Sequence, residues 1–269
     1  LNEGDYLWTV SNTFVASANC GLFCGAKIDF VDIDHVTYNI SIKELSKKLK
    51  KAAKNNTLPK IIIPVAFSGL SCEMEDIFNL SRKYGFKIIE DASHAIGGKY
   101  KGEMIGNCKY SDITIFSFHP VKIITSGEGG MAITNNKVLA KKMKLLRSHG
   151  INRDDKEMVN KVDGQWYYEQ STIGYNFRMT DIHAALGLSQ LKRLDGYVEA
   201  RISIAEHYNQ ALKDLPLTLP LDSKSSSWHL YVIKVDSKKT NISRAVLFEQ
   251  MRKLGIGVNV HYIPVHLQP

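Results

Sequence analysis

Three segments between Ile61 and Asp91 constrain this chain more than any others: an apolar run Ile61 to Ala66, a helical stretch from about Met74 to Tyr84, and a second apolar run, Phe86 to Ile89, that breaks into Glu90 and Asp91. Two such runs joined through a helix describe a right-handed βαβ crossover, the connection that joins parallel strands. The pattern extends both ways. Upstream, Lys27 to Ile33 alternates and then runs apolar, and Ser41-Ile42-Lys43-Glu44 is a capping-box sequence opening a helix with Ile42, Leu45 and Leu49 on one side. Downstream, Ile113 to Phe118 and Met131 to Thr134 read as strands and 137 to 147 as a helix. Alternating strands and helices predict a large α/β domain built on a mostly parallel sheet.

Two of these strands end in reactive residues. Asp91 closes one, and Ile113 to Phe118 is followed by His119, Pro120, Val121 and Lys122, after which Thr125, Ser126, Gly127, Gly129 and Gly130 turn the chain. In open α/β sheets ligands bind in the crevice outside the carboxyl ends of the strands, so an acid and an amine delivered there can meet on one small molecule. A lysine amine condenses with an aldehyde to a Schiff base, and in pyridoxal-phosphate enzymes an acid keeps the pyridine nitrogen protonated so that the ring acts as an electron sink. Lys122 and Asp91 are the residue types for those two tasks. Taken singly, each has a plainer reading, Lys122 as a solvated surface charge and Asp91 as a helix cap or turn former.

Taken together, Glu90-Asp91-Ala92-Ser93-His94, then Ser117-Phe118-His119-Pro120-Val121-Lys122, then Gly127-Glu128-Gly129-Gly130 resemble the core of the DegT/DnrJ/StrS sugar aminotransferases, and the likeness covers nearly the whole chain. These are fold-type-I enzymes that use pyridoxal 5'-phosphate and act on nucleotide-linked keto sugars. The resemblance implies that Lys122 forms the Schiff base, Asp91 pairs with the ring nitrogen, His94 lies near the phenolic oxygen and Ser117 contacts the phosphate. It implies a ring-stacking role for Phe14, which alone would read as ordinary core. The stretch Gly174-Tyr175-Asn176-Phe177-Arg178 resembles one that crosses a dimer interface in the family, which implies that Asn176 touches the partner's cofactor phosphate and Arg178 the substrate. Arg178 alone reads as a salt bridge at a helix start.

The tail His261-Tyr262-Ile263-Pro264-Val265-His266 resembles the substrate-side segment of transaminases making 4-amino-4,6-dideoxy sugars, particularly for pseudaminic acid. By that resemblance His261, Tyr262 and His266 contact substrate; the plainer reading is a strand edge with satisfied histidines. The implied reaction moves an amino group from glutamate to the cofactor and on to the 4-keto carbon of a UDP-linked 4-keto-6-deoxy-N-acetylhexosamine, in a homodimer with shared active sites. Relatives that aminate a 3-keto carbon share the same core motifs.

At 269 residues the chain can bury one large core with a smaller satellite. The expected division is a large α/β domain over 1–215 and a small α+β domain over 216–269. The chain starts at Leu1 in mid-phrase and stops at Pro269 as a polar motif completes, so a fragment of a longer protein is expected. No apolar run approaches the ~20 residues of a membrane span, and the expected compartment is the cytoplasm. Cys20, Cys24, Cys72 and Cys108 lack metal-site spacing and read as buried small hydrophobes, so no metal is expected. The net charge of +8 raises nucleic acid as a partner, yet the lysines cluster on polar helix faces without interleaved aromatics, which reads as solvation.

In the rest of the chain, Ser, Asn and Thr between Ser11 and Asn19 can cap a helix that stops by Gly25. Residues 151–172 read as a loop, and Thr180 caps a helix expected to run through Leu194 and break near Gly196. Pro216 and Pro220 interrupt the pattern, and Ser223 to Ser227 form a connector. Residues 228–235 and 258–263 read as strands around a helix that Ser243 caps. A sugar dehydratase of the same family would carry histidine where Lys122 stands. A Rossmann oxidoreductase fails on its glycines, since Gly127 to Gly130 precede a strand and no GxGxxG occurs. A non-catalytic relative using the fold as a binding or regulatory module remains the other class.

Overall fold

A computed structural model describes residues 1–240 and 242–269, the side chains of 237 and 238 excepted. β1 (Tyr6–Val10) lies inside a six-stranded sheet, followed by α1 (Ala16–Leu22), β2 (Lys27–Val31), α2 (Ile42–Asn55), β3 (Ile61–Ile63), α3 (Met74–Tyr84) and β4 (Lys87–Asp91). A two-strand hairpin, β5 (Lys99–Tyr100) and β6 (Glu103–Met104), precedes β7 (Ile113–Ser117) and β8 (Gly130–Ile133). The sheet order is β2-β1-β3-β4-β7-β8, parallel throughout except for β8, which pairs antiparallel with β7. This is the expected α/β class. The sequence reading did not assign β1, although its Trp8-Thr9-Val10 is fully buried against both neighbours.

One face of the sheet packs Trp8, Val10, Ile62 and Ile88 against Leu45 and Leu49 of α2 and Met74 and Ile77 of α3. Ser41 caps α2 by accepting the Glu44 N–H, as its capping box predicts. The other face carries α1, whose Gly21 lies so near Ile28 that a Cβ there would stand 2.5 Å from its Cδ1. Phe116, Phe118, Ile123 and Ile124 continue that face into a second cluster with Leu194 and Val198 of α6 (Leu194–Leu212). In sequence, α4 (Lys137–Arg147) and α5 (Asp181–Leu191) come between β8 and α6, the latter of the two capped by Thr180 on the His183 N–H.

Several expectations are corrected. The helical stretch from Thr180 breaks at Lys192 and Arg193, and Gly196 sits inside α6. The N-cap of α1 is Val15, whose side chain carries no acceptor, while Ser17 lies inside the helix and Thr13 bonds Ser17. Of 228–235 only Lys234–Val235 forms a strand, against Leu217–Thr218, and 258–263 is irregular. Cys72 and Cys108 are buried as expected, but Cys20 and Cys24 are exposed. Among the described residues no helix is long and apolar enough to cross a membrane, and no group of side chains is placed to hold a metal.

Candidate active site

The adjacent strands β1, β3, β4 and β7 end on one edge, and each hands over a loop carrying polar residues: Asn12 and Thr13, Ser68, Asp91 and His94, Ser117 and Lys122. Register puts Asp91 beside Val65 on one side and Ile115 on the other. The Asp91 carboxylate accepts from Ser17 Oγ at 2.6 Å and from its own loop's Ser93 N–H at 3.0 Å. Ser17 is in turn 3.2 Å from Thr13 Oγ1. The hydroxyls read from sequence as helix caps therefore hold a carboxylate.

Lys122 lies on the loop between β7 and β8, half-buried, with its backbone N–H on the His119 carbonyl at 2.9 Å. Burial holds its ammonium below the ordinary lysine range, partly offset by Asp91 close enough to favour the charge. The amine is thereby eased toward its neutral, nucleophilic form. Ser117, at the end of β7, accepts the His119 N–H at 3.4 Å.

His94 is buried at the other side of Asp91. Its Nδ1 receives the Ser68 N–H at 3.3 Å and its Nε2 lies 3.1 Å from Tyr262 Oη. Ser68 is at φ 57° and Gly69 at φ +107°, a left-handed turn held by Asn39, whose Oδ1 accepts the Phe67 N–H and whose Nδ2 reaches the carbonyls of Leu70 and Ser71. The His229 ring lies 4.4 Å from that of His94. Burial drives His94 to about 2 and His229 to about 3, with the Lys122 charge and the neighbouring imidazoles adding to the effect. His261 is lowered in the same way. Burial and then Asp91 push Tyr262 up to about 12. At neutral pH these are uncharged hydrogen-bonding groups around one amine and one carboxylate.

The carboxyl-terminal segment closes this edge. Tyr262 N–H bonds Asn12 Oδ1 at 3.2 Å and Val265 N–H bonds the Ser11 carbonyl at 2.9 Å. The segment read as a strand at 228 is used the same way: Ser227 N–H and Leu230 N–H bond the carbonyls of Gly69 and Ser68, Ser227 Oγ bonds the His94 carbonyl, and Arg201 of α6 holds the carbonyls of Trp228 and His229. A Cβ at Gly69 would stand 2.7 Å from Ser227 Oγ, so the close approach requires glycine there.

Of the residues singled out from sequence, Asp91, His94, Lys122, His261 and Tyr262 share one environment, with Ser117 at the strand end five residues before Lys122. Phe14 sits just before α1 and is 62% exposed, so it is not core. Asn176 is exposed and pairs with Ser148, and Arg178 lines a separate cleft of about 790 Å³ with Lys141, Lys144, His149 and Arg153. His266 lies outside the cluster, its ring 6.1 Å from that of Phe30. The sequence reading missed Ser17, Ser68 and His229. Ser17 sat in an apparent capping run and His229 in an apparent strand, and no spacing marks either.

Comparison with known proteins gives one consistent picture. The model of the DegT/DnrJ/EryC1/StrS aminotransferase family matches residues 1–269. The chain is 42% identical over 261 residues to the UDP-4-amino-4,6-dideoxy-N-acetyl-β-L-altrosamine transaminase of Campylobacter jejuni, covering 96% of this chain and 65% of the relative. Its fold matches Helicobacter pylori PseC, an aminotransferase involved in the biosynthesis of pseudaminic acid, with a TM-score of 0.88 and 34% identity over 98% of this chain and 67% of that one. It also matches Spr1654 of Streptococcus pneumoniae in its PLP form, with a TM-score of 0.83 and 28% identity over 99% of this chain and 69% of the other. The chain spans about two thirds of the length of these relatives.

Proposed function

Because the chain belongs to the DegT/DnrJ/EryC1/StrS aminotransferase family, we propose that it transfers an amino group from glutamate to the 4-keto carbon of a UDP-linked 4-keto-6-deoxy-N-acetylhexosamine, with Lys122 and Asp91 at the reacting centre. Enzymes of this family are PLP-dependent sugar aminotransferases, and Spr1654 is solved in both PLP and PMP forms. The bound cofactor supplies an aldehyde for the amine and an electron sink for the proton transfers.

The observation that carries the reading is the pairing of a half-buried amine with a doubly hydrogen-bonded carboxylate on neighbouring strand ends, with uncharged imidazoles beside them. That donor set fits the cofactor. Asp91 is an acceptor for a ring N–H, Lys122 is eased toward a free amine, the Phe14 ring has an open face, and the Ser117 hydroxyl retains its proton for an anionic oxygen. In this reading Lys122 carries the cofactor and later moves protons, Asp91 holds the ring proton, and His94, Ser117 and Phe14 complete the cofactor's surroundings. His261 and Tyr262 face the sugar; Arg178, in a separate cleft of its own chain, would act with Asn176 at a neighbour's site, and His266 lies apart from the cluster.

The apolar surface of α5 supports a homodimer. It has no buried residue, yet Ile182 is 81% exposed and Leu186, Leu188 and Leu191 are exposed with it. Apolar area of that extent on a helix is normally covered by another chain, and a second copy would bring Asn176, on the segment leading into α5, to a neighbour's site. Borohydride reduction of the holoenzyme followed by peptide mapping tests the central assignment. A cofactor label on Lys122 is expected, and a label on another lysine overturns it.

A further inference from the structure

We propose that His229 is a positioning residue for His94, and that one face of α6 sets the two imidazoles against each other. That face carries Leu194, Val198 and Arg201, spaced to stand in line along the helix. Leu194 and Val198 hold the loop that follows His94. A Cβ at Gly97, itself at φ +80°, would stand 2.7 Å from Val198 Cγ2 and 3.2 Å from Leu194 Cδ1. Arg201, about one turn further on, holds the segment that carries His229 by donating to the Trp228 and His229 carbonyls at 3.0 and 3.3 Å. Its guanidinium is half-buried and forms no ion pair among the described residues, so this clamp is what occupies it.

The clamped segment is kinked. Trp228 is at φ 50°, a left-handed conformation that bulky residues avoid and that persists only where the surroundings impose it. Here its N–H bonds Ser226 Oγ and its indole N–H bonds the Ser223 carbonyl, both at 3.1 Å. Ser227 fixes the other side, its N–H on the Gly69 carbonyl and its Oγ on the His94 carbonyl, again at 3.1 Å. The kink lays the next side chain, His229, on His94 with ring centroids 4.4 Å apart, whereas Phe67 and Tyr262 stand off at 6.1 and 6.4 Å. His229 Nδ1 is buried without a hydrogen-bond partner, so backbone and packing place this ring. Its effect falls on His94, which it backs, shields from water and keeps from a second proton. That this steadies a ring lying against the cofactor rests on the transaminase reading; the support of one imidazole by the other does not.

The test follows the His94 ring itself. In the holoenzyme labelled with ¹⁵N-histidine, with the signals assigned by their loss in His94→Gln, native His94 should stay neutral from about pH 8 down to about pH 5. His229→Ala admits water behind the ring, so the His94 pKa should climb toward its ordinary 6.5 and the ring should titrate inside that range. Arg201→Met, which releases the clamp, should act in the same direction, and the double variant should go no further than His229→Ala. His229→Phe, which keeps a ring in place, and Arg201→Lys, which keeps a donor, should restore the native signals. His94 signals unmoved in His229→Ala overturn the proposal, even if the melting temperature falls, since the segment would then be a structural strap alone. A phenylalanine variant that behaves like alanine overturns it as well. A protein whose His94 behaves as stated but which transaminates no sugar would instead refute the activity proposed above.

Discussion

Ser17 donates its hydroxyl proton to the Asp91 carboxylate at 2.6 Å, tying helix α1 to the end of β4 across 74 residues of sequence. Thr13 Oγ1 lies 3.2 Å from Ser17 Oγ and supports it there. A hydrogen bond to a charged acceptor is worth about 1.5–3 kcal/mol, so Ser17→Ala should lose that much stability by urea denaturation and lower turnover as well. A variant as stable as the parent would contradict the bond.

Asp91→Asn separates chemistry from structure. An amide cannot keep a pyridine nitrogen protonated, so turnover should fall by orders of magnitude while the melting temperature moves little. If Asp91 were only a turn former, the variant would lose about 1 kcal/mol of stability and keep its rate. Paired thermal melts and transamination rates distinguish these outcomes.

Glu90 points to the opposite face of β4, where it is buried and accepts from Thr114 Oγ1 at 2.9 Å. Burial raises its carboxyl from 4.5 to about 6, with the Thr114 bond opposing the shift. The folded chain thus holds this proton more tightly than the unfolded one. Its stabilising contribution is full below pH 4.5 and is lost as pH rises toward 6. The difference amounts to about 2 kcal/mol. Glu90→Gln should be more stable than the parent at pH 7 by about 1–2 kcal/mol and lack that slope. Denaturation curves at several pH values decide it, and an unchanged slope would assign the pH dependence to other groups.

The sheet was legible because its strands and helices carry their own periodicity, and Ser41, Thr180 and Ser243 stand as caps where the sequence puts them. The pair proposed to react stands out in the sequence for a different reason: Asp91 closes one apolar run and Lys122 follows another. What stayed hidden depends on distant chain. Ser17 looks like a cap until Asp91 is folded beside it. Trp228 to Leu230 has strand composition, but the Trp228 N–H is taken by Ser226 Oγ, the Leu230 N–H by the Ser68 carbonyl, and the Trp228 and His229 carbonyls by Arg201, so no ladder forms. His229 becomes part of the site only through that docking. Arg178 and His266 share motifs with site residues and lie apart from them within a single chain.

If Asn176 completes a neighbour's site, two inactive variants should restore each other. Lys122→Ala and Asn176→Ala homodimers, each intact by light scattering, should regain activity on mixing and subunit exchange, since one site per mixed dimer would be whole. Mixing that yields only background would show that residues 151–178 serve their own chain's site, as a lid over it.

The central claim is that this edge of the sheet moves an amine onto carbon 4 of a UDP-linked keto sugar. The most direct measurement incubates the holoenzyme with glutamate and a panel of UDP- and dTDP-linked 3-keto and 4-keto sugars, and locates the new amine by NMR while following 2-oxoglutarate. The account predicts stoichiometric 2-oxoglutarate with the amine at C4 of the UDP-linked 4-keto-6-deoxy-N-acetylhexosamine, and no product from Lys122→Ala. An amine at C3, or no transfer by a holoenzyme with its cofactor bound, would contradict it.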